Sequence, residues 1–208
     1  MSPRRRSATI ASTECGSKGR NVVTTQTIRN GVSVSQLVDT IELIKRQPDL
    51  ARFQFRARSA WEGGGRTRTT IQGFFGAGQE DTSRSEPFTV IGDEPPVLLG
   101  GNAGPNAVEA VLQALASCLG VGFVYNASAL GIDVRALEFE LEGNLDLHGF
   151  LGLSETTRPG FSGIRVSYRV DADAPRDKIE ELCSYVQKTS PVLDMLRNSV
   201  PVSVEIID

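Results

Sequence analysis

The sequence predicts an α+β protein with mostly antiparallel sheet, on three observations. Residues 105 to 130, PNAVEAVLQALASCLGVGFVYNASAL, form an almost uncharged run. Its Val108, Val111, Leu112, Leu115, Leu119 and Phe123 recur at three- and four-residue steps, the period of a helix packed on a core. Leu137, Phe139 and Leu141 alternate with Glu138, Glu140 and Glu142, and Ile164, Val166, Tyr168 and Val170 alternate with Arg165, Ser167 and Arg169. Each of these segments is a strand with one apolar and one polar, charged face. Finally, runs of strands outnumber strand-helix alternation along the chain, which separates α+β from a parallel arrangement.

The elements follow in order. Residues 1–32 are rich in Ser, Thr, Gly and Arg, and in the first twenty Arg4, Arg5, Arg6, Lys18 and Arg20 face only Glu14. That composition reads as a basic, flexible tail. Residues 33–51 read as a short helical extension, with Val34, Leu37, Val38, Ile41 and Ile44 at helical spacing, Ser33 as N-cap and Pro48 closing the segment. Residues 52–208 form the main domain. Phe53, Phe55 and Ala57 alternate with Gln54, Arg56 and Arg58 in a strand running to Trp61, and Glu62-Gly63-Gly64-Gly65 turns it into a second strand, Arg66 to Phe75. Pro87 to Ile91 is a third strand, and Asp93 to Gly104, with Pro95-Pro96 and repeated glycines, is the loop feeding the central helix. After the two strands with charged faces, whose opposed charges can pair across the ladder, Asp173 is the expected cap and Pro175 the first-turn residue of a second helix. Ile179, Leu182, Cys183 and Val186 form its inward stripe. This helix breaks at Ser190-Pro191 and resumes through Met195, and Val202 to Ile207 reads as a closing strand.

Composition narrows the function classes. The 208 residues are 39% hydrophobic, enough for one sizeable core, and 22 basic against 25 acidic residues leave a formal charge of −3, which favours neither nucleic acid nor an anionic membrane as partner. The sequence reads as having no apolar run long enough to span a bilayer, and no secretory apolar stretch follows the basic start, so a cytoplasmic protein is expected. Cys15, Cys118 and Cys183 are too few for a disulfide scaffold and show no zinc-ligand spacing, so no zinc site is expected, and chemistry carried by a thiol would itself require no metal or organic cofactor. The single histidine, His148, has no second histidine to share a metal and is assigned no role. Cys118 lies in the middle of the apolar helix among Ala114, Ala116, Ser117, Gly120 and Gly122, small side chains that let another backbone approach from the same chain or a second subunit. A thiol placed there is either inert filling or a protected reactive centre.

The element order, with GPNAVEAVLQALASC entering the buried helix and CSYVQKTSPVLDML on the second, resembles the OsmC/Ohr family of osmotically inducible and organic hydroperoxide resistance proteins over residues 52 to 207. The resemblance implies an intertwined homodimer, with two long central helices packed between antiparallel sheets and active sites near the subunit interface. It also implies reduction of organic hydroperoxides by a reactive cysteine, a second cysteine that resolves it, and an arginine and glutamate that activate the first. Cys118 matches the reactive cysteine. Arg66, just after the glycine turn, resembles the activating arginine, and Arg68 on the same strand face can substitute. The peroxide-resistance branch places its glutamate ten residues before the cysteine, where this chain has Val108, whereas Glu109 stands nine before, as in other OsmC-like branches. Asn106-x-x-Glu109 also reads as a capping box, a local role that competes with orienting Arg66 from another subunit.

Ser190, in TSPV, stands where the family's second cysteine precedes Pro-Val. A hydroxyl cannot form a disulfide, so this departure from the family's pattern makes a one-cysteine cycle completed by an external thiol the expectation. Cys183 lies seven residues earlier, about 10 Å along the helix axis, and is either a core cysteine or a displaced resolving residue. Two other function classes stay open: a thiol redox sensor or small-molecule-binding dimer without turnover, and a dimeric scaffold with a vestigial cysteine.

Overall fold

The computed structural model describes residues 27–207; the basic arm and Cys15 lie outside the described residues. Residues 28–32, assigned on composition to the tail, form with Ser33 a two-stranded hairpin of β1 (Ile28–Arg29) and β2 (Val32–Ser33). Asn30 adopts positive φ at its turn and serves as a clamp. Its Nδ2 donates to Ile132 O at 2.9 Å, and its Oδ1 accepts from Val134 N at 2.9 Å. Arg29 pairs with Asp133 at 3.1 Å. The hairpin thereby ties the start of α1 (Val34–Arg46) to the far end of the central helix. Ser33 caps α1 as its sequence position indicates, accepting from Gln36 N, and a 3-10 turn at Pro48–Ala51 follows.

β3 (Arg58–Gly63) and β4 (Arg66–Ile71) form the expected hairpin across the glycine turn, where Gly63 and Gly64 both take positive φ. The strand expected from Phe53 begins only at Arg58. Its aromatic alternation is used differently: Phe53, Phe55 and Phe74 stack on one another with centroids 5.3–6.2 Å apart, and only Gln54 makes an isolated bridge, to Phe75. The second strand likewise stops at Ile71, after which β5 (Phe74–Gly76) and β6 (Gln79–Asp81) make a separate small hairpin. β7 (Phe88–Gly92) pairs antiparallel with β4, giving the order β3-β4-β7.

The loop after β7 contains a 3-10 turn at Pro96–Leu98 and leads to α2 (Ala107–Ala129). By length and composition alone α2 could cross a bilayer, which corrects the expectation that no such run exists. Its setting is that of a core helix. Leu115, Leu119, Phe123 and Ala127 are buried, and α2 packs against α4, β8, α5 and α1. The small residues permit that contact within one chain: a Cβ at Gly122 would stand 3.1 Å from Val186, and one at Gly120 3.4 Å from Phe139.

β8 (Val134–Asn144) and β9 (Gly163–Ala172) pair antiparallel from Val134 opposite Ala172 to Asn144 opposite Gly163. Their apolar face lies on the core, and the charged face pairs as its alternation suggests, Arg169 with Glu138 and Glu140, Arg165 with Glu142. Between them is α3 (Leu147–Phe150), which carries the exposed His148 bonded to Asp146. α4 (Arg176–Thr189) contributes Leu182 and Val186 to the core, with Ile179 and Cys183 packed beside them. Its N-cap is Pro175 rather than Asp173, and no side chain caps it. α5 (Pro191–Arg197) starts from Ser190. Among the described residues, 202–207 form no ladder, although their apolar alternation is that of a strand.

Candidate functional site

The break between α4 and α5 brings Ser190 onto the middle of α2. Proline at 191 cannot donate an amide to continue α4 but suits the first position of a new helix, so the chain restarts with Ser190 as N-cap. Its hydroxyl accepts from Leu193 N at 3.2 Å. In this position Ser190 Oγ lies 3.2 Å from Cys118 Sγ, its side-chain partner across 72 residues of sequence. Ser190 is 5% exposed and Cys118 is half-buried. The residue at the family's second-cysteine position therefore does touch the first cysteine. A cavity of about 640 Å³ opens between α2, β9 and α5, walled by Leu115, Leu119, Val166, Tyr168 and Leu193 with Arg197 among its lining residues; its lining includes neither Cys118 nor Ser190. The hydroxyl of Tyr168 is buried without a partner among the described residues, and burial pushes its pKa up to about 12. Leu98 and Leu99, on the loop before α2, are not among this cavity's lining residues, and Leu99 is 93% exposed.

Arg66 and Arg68 stand elsewhere in the chain. Both pair with Glu62, Arg66 Nε at 3.0 Å and Arg68 Nε at 2.5 Å, and these two cations hold the Glu62 carboxyl below its usual range, Arg68 first through its hydrogen bond. The Arg66 Nε is itself buried and finds no well-directed acceptor. Glu62 lies four residues before Arg66 across the turn, a signal visible in the sequence as an acidic residue facing two basic ones. Asp93 is the other residue the sequence reading missed. Only 4% exposed, it receives the amides of Glu94, Gly101 and Ala103 at 2.8, 3.2 and 3.0 Å. Those amides, with Ala103 foremost, and the nearby Arg66 charge depress its pKa. Asp93 thus ties the loop from β7 to α2 around one carboxylate. The same loop passes so close to the sheet that a Cβ at Gly104 would lie 2.1 Å from Ile91 O and one at Gly100 1.9 Å from Glu94 O. An aspartate opening a Gly- and Pro-rich loop is a recognised Asx-turn signal.

Glu109 is engaged locally. Asn106 Oδ1 accepts from Glu109 N, and Glu109 Oε2 accepts from Asn106 N, each at 2.9 Å, which completes the capping box and holds the carboxylate at the start of α2. Cys183 is a free thiol packed against the core, and burial pushes its pKa up, which favours the unreactive protonated form. Within one chain, then, the structure joins Cys118 to Ser190 and Arg66 to Glu62; it does not join Cys118 to Arg66.

The architecture, a long apolar helix against an antiparallel β8-β9 pair with a second, interrupted helix across it, defines a class of α+β protein shared by solved structures. An OsmC-like protein from Mycoplasma pneumoniae superposes with a TM-score of 0.55 at 15% identity, over 70% of this chain and 89% of that one. A putative osmotic stress induced and detoxification response protein from Psychrobacter arcticus gives 0.50 at 17% identity, over 66% and 85%. An organic hydroperoxide resistance protein from Legionella pneumophila gives 0.48 at 15%, over 69% and 89%. Among curated proteins no relative matches the sequence. The model of the family described as OsmC-like protein matches residues 100–205, half of the chain, and the chain belongs to that family.

Proposed function

We propose that the protein reduces organic hydroperoxides through Cys118 in a one-cysteine cycle, as a cytoplasmic homodimer in which the sheet of one copy brings Arg66 to the Cys118 of the other. The observation that carries this reading is the contact of Cys118 with Ser190 at the position of a resolving residue, in a member of the OsmC-like family. The Cys118 thiolate attacks the distal oxygen of ROOH. The S–O bond forms as the O–O bond breaks, alkoxide leaves and takes a proton as alcohol, and Cys118 becomes a sulfenic acid. A small external thiol then attacks that sulfur with loss of water, and a second thiol displaces the mixed disulfide to restore Cys118. The cavity lined by Leu115 and Leu119, which flank Cys118 on α2, and by Leu193, three residues after Ser190, suits an organic substituent better than hydrogen peroxide. The Arg66 guanidinium can hold a peroxide oxygen, while Glu62 orients it.

Hydroperoxide consumption by the full chain with excess small thiol tests this. Turnover of cumene hydroperoxide that vanishes in Cys118→Ser is the expected result. A single stoichiometric oxidation without turnover would replace the reductase with the thiol-sensor reading, which the absence of a thiol at position 190 also favours. Unmodified Cys118 beside unconsumed hydroperoxide would leave the binding or scaffold reading.

A further inference from the structure

We propose that Ser190 is itself a catalytic group, donating a hydrogen bond to the Cys118 sulfur through the cycle; this rests on the hydroperoxide-reductase reading above. A serine hydroxyl has one proton to give and two lone pairs to accept with. One lone pair is already used, because Leu193 N donates to Ser190 Oγ as the cap of α5. That bond fixes the rotamer and leaves the proton free to point elsewhere. Ser190 is buried, and Cys118 Sγ at 3.2 Å is its other side-chain partner. The cap leaves the hydroxyl proton free for sulfur, and once Cys118 is a thiolate the hydroxyl is the one member of the pair with a proton to give.

A neutral thiol is a weak acceptor, whereas a thiolate is a strong one, so the bond tightens as Cys118 loses its proton. After attack on the hydroperoxide the same proton faces the sulfenic group. A cysteine at this position would consume that group, its thiolate attacking the Cys118 sulfur to form S–S and release water. Serine has no such reaction, so it stabilises the oxidised state and holds it for the incoming small thiol. The position of Ser190 thus trades rapid internal closure for a longer-lived sulfenic acid.

Three variants of the full chain test this, read by the alkylation rate of Cys118 with iodoacetamide at neutral pH and by dimedone trapping after one equivalent of cumene hydroperoxide. Ser190→Gly removes the hydroxyl while keeping a residue nearly as good at an N-cap. Losing a hydrogen bond to a charged group, offset by the greater nucleophilicity of a more basic thiolate, should slow alkylation about three- to tenfold and shorten the dimedone-trappable lifetime. Ser190→Thr keeps both cap and donor and should restore both readouts. Ser190→Cys should lose two hydrogens on oxidation, in a link mapping between positions 118 and 190. Unchanged alkylation in Ser190→Gly, or failure of Ser190→Thr to restore it, overturns the proposal whether or not hydroperoxide is consumed. Slowed alkylation that Thr restores, in a protein that consumes no hydroperoxide, sustains the hydrogen bond and removes the reductase reading instead.

Discussion

The helical layer around α2 and the three-stranded sheet treat apolar side chains in opposite ways. Leu115, Leu119, Phe123 and Val186 are at most 1% exposed, while on the sheet Trp61 is 73% and Phe88 59% exposed. Both regions have the alternation or periodicity of buried structure, yet only the first finds its cover within the chain. The helical layer holds the core; the sheet shows water an apolar face. The difference also divides the candidate chemistry, since Cys118 and Ser190 belong to the covered region and Arg66 with Glu62 to the uncovered one.

The sharpest way to break this contrast is to truncate one aromatic residue in each region. Phe123→Ala should cost about 3–5 kcal/mol of unfolding free energy in denaturant titrations, as for a fully buried ring. Trp61→Ser should leave the dissociated chain's unfolding nearly unchanged and weaken self-association in sedimentation at low concentration. Equal destabilisation by the two would show that the sheet is not a separate case. For activity, Arg66→Met should slow hydroperoxide consumption about a hundredfold, the scale for losing one charge-stabilising donor, with Arg68→Met within a few-fold. If both variants act equally, the assignment moves to the shared Glu62 network.

The loop joining the regions gives a smaller, pH-dependent effect. The folded pKa of Asp93 is depressed, so its contribution is present above the ordinary carboxylate range and is lost as pH falls through the lowered folded value. Hydrogen-exchange protection at Gly101 and Ala103, corrected for intrinsic rates, should therefore decline in acid, and Asp93→Asn should abolish that pH dependence. Protection in Asp93→Asn that still falls with acid would assign the effect to another group. Smallest of all, Asn106→Ala should cost about 1 kcal/mol by removing one half of the capping box. A drop in turnover well beyond that loss of stability would give Glu109 a part in the chemistry after all.

What could be read from the sequence was local. Ser33 and Asn106-x-x-Glu109 marked helix starts because capping is decided within four residues, and the β8 and β9 faces followed from strict alternation. Ser190-Pro191 marked the second break, since proline's missing amide acts at one peptide. The misreadings came where a pattern has more than one physical outlet. Phe53 and Phe55 satisfy their alternation by stacking on Phe74 instead of joining a ladder. Arg66 is visible as a cation, but which carboxylate holds it is decided by the turn that returns Glu62 to its side. The approach of Ser190 to Cys118 required the helix packing itself, and only the family resemblance pointed to it in advance.

The segment Val202–Ile207 has one more consequence. Val204 is 90% exposed and Ile206 is 101% exposed, in a run of six residues without proline and rich in β-branched side chains. That is the composition of a self-templating cross-β segment. Glu205 is its one charge, and in a freshly made chain with nothing lying along it, Glu205 acts as gatekeeper against stacking of identical strands. Neutralising that residue would remove the one charge that opposes stacking of identical strands along this backbone.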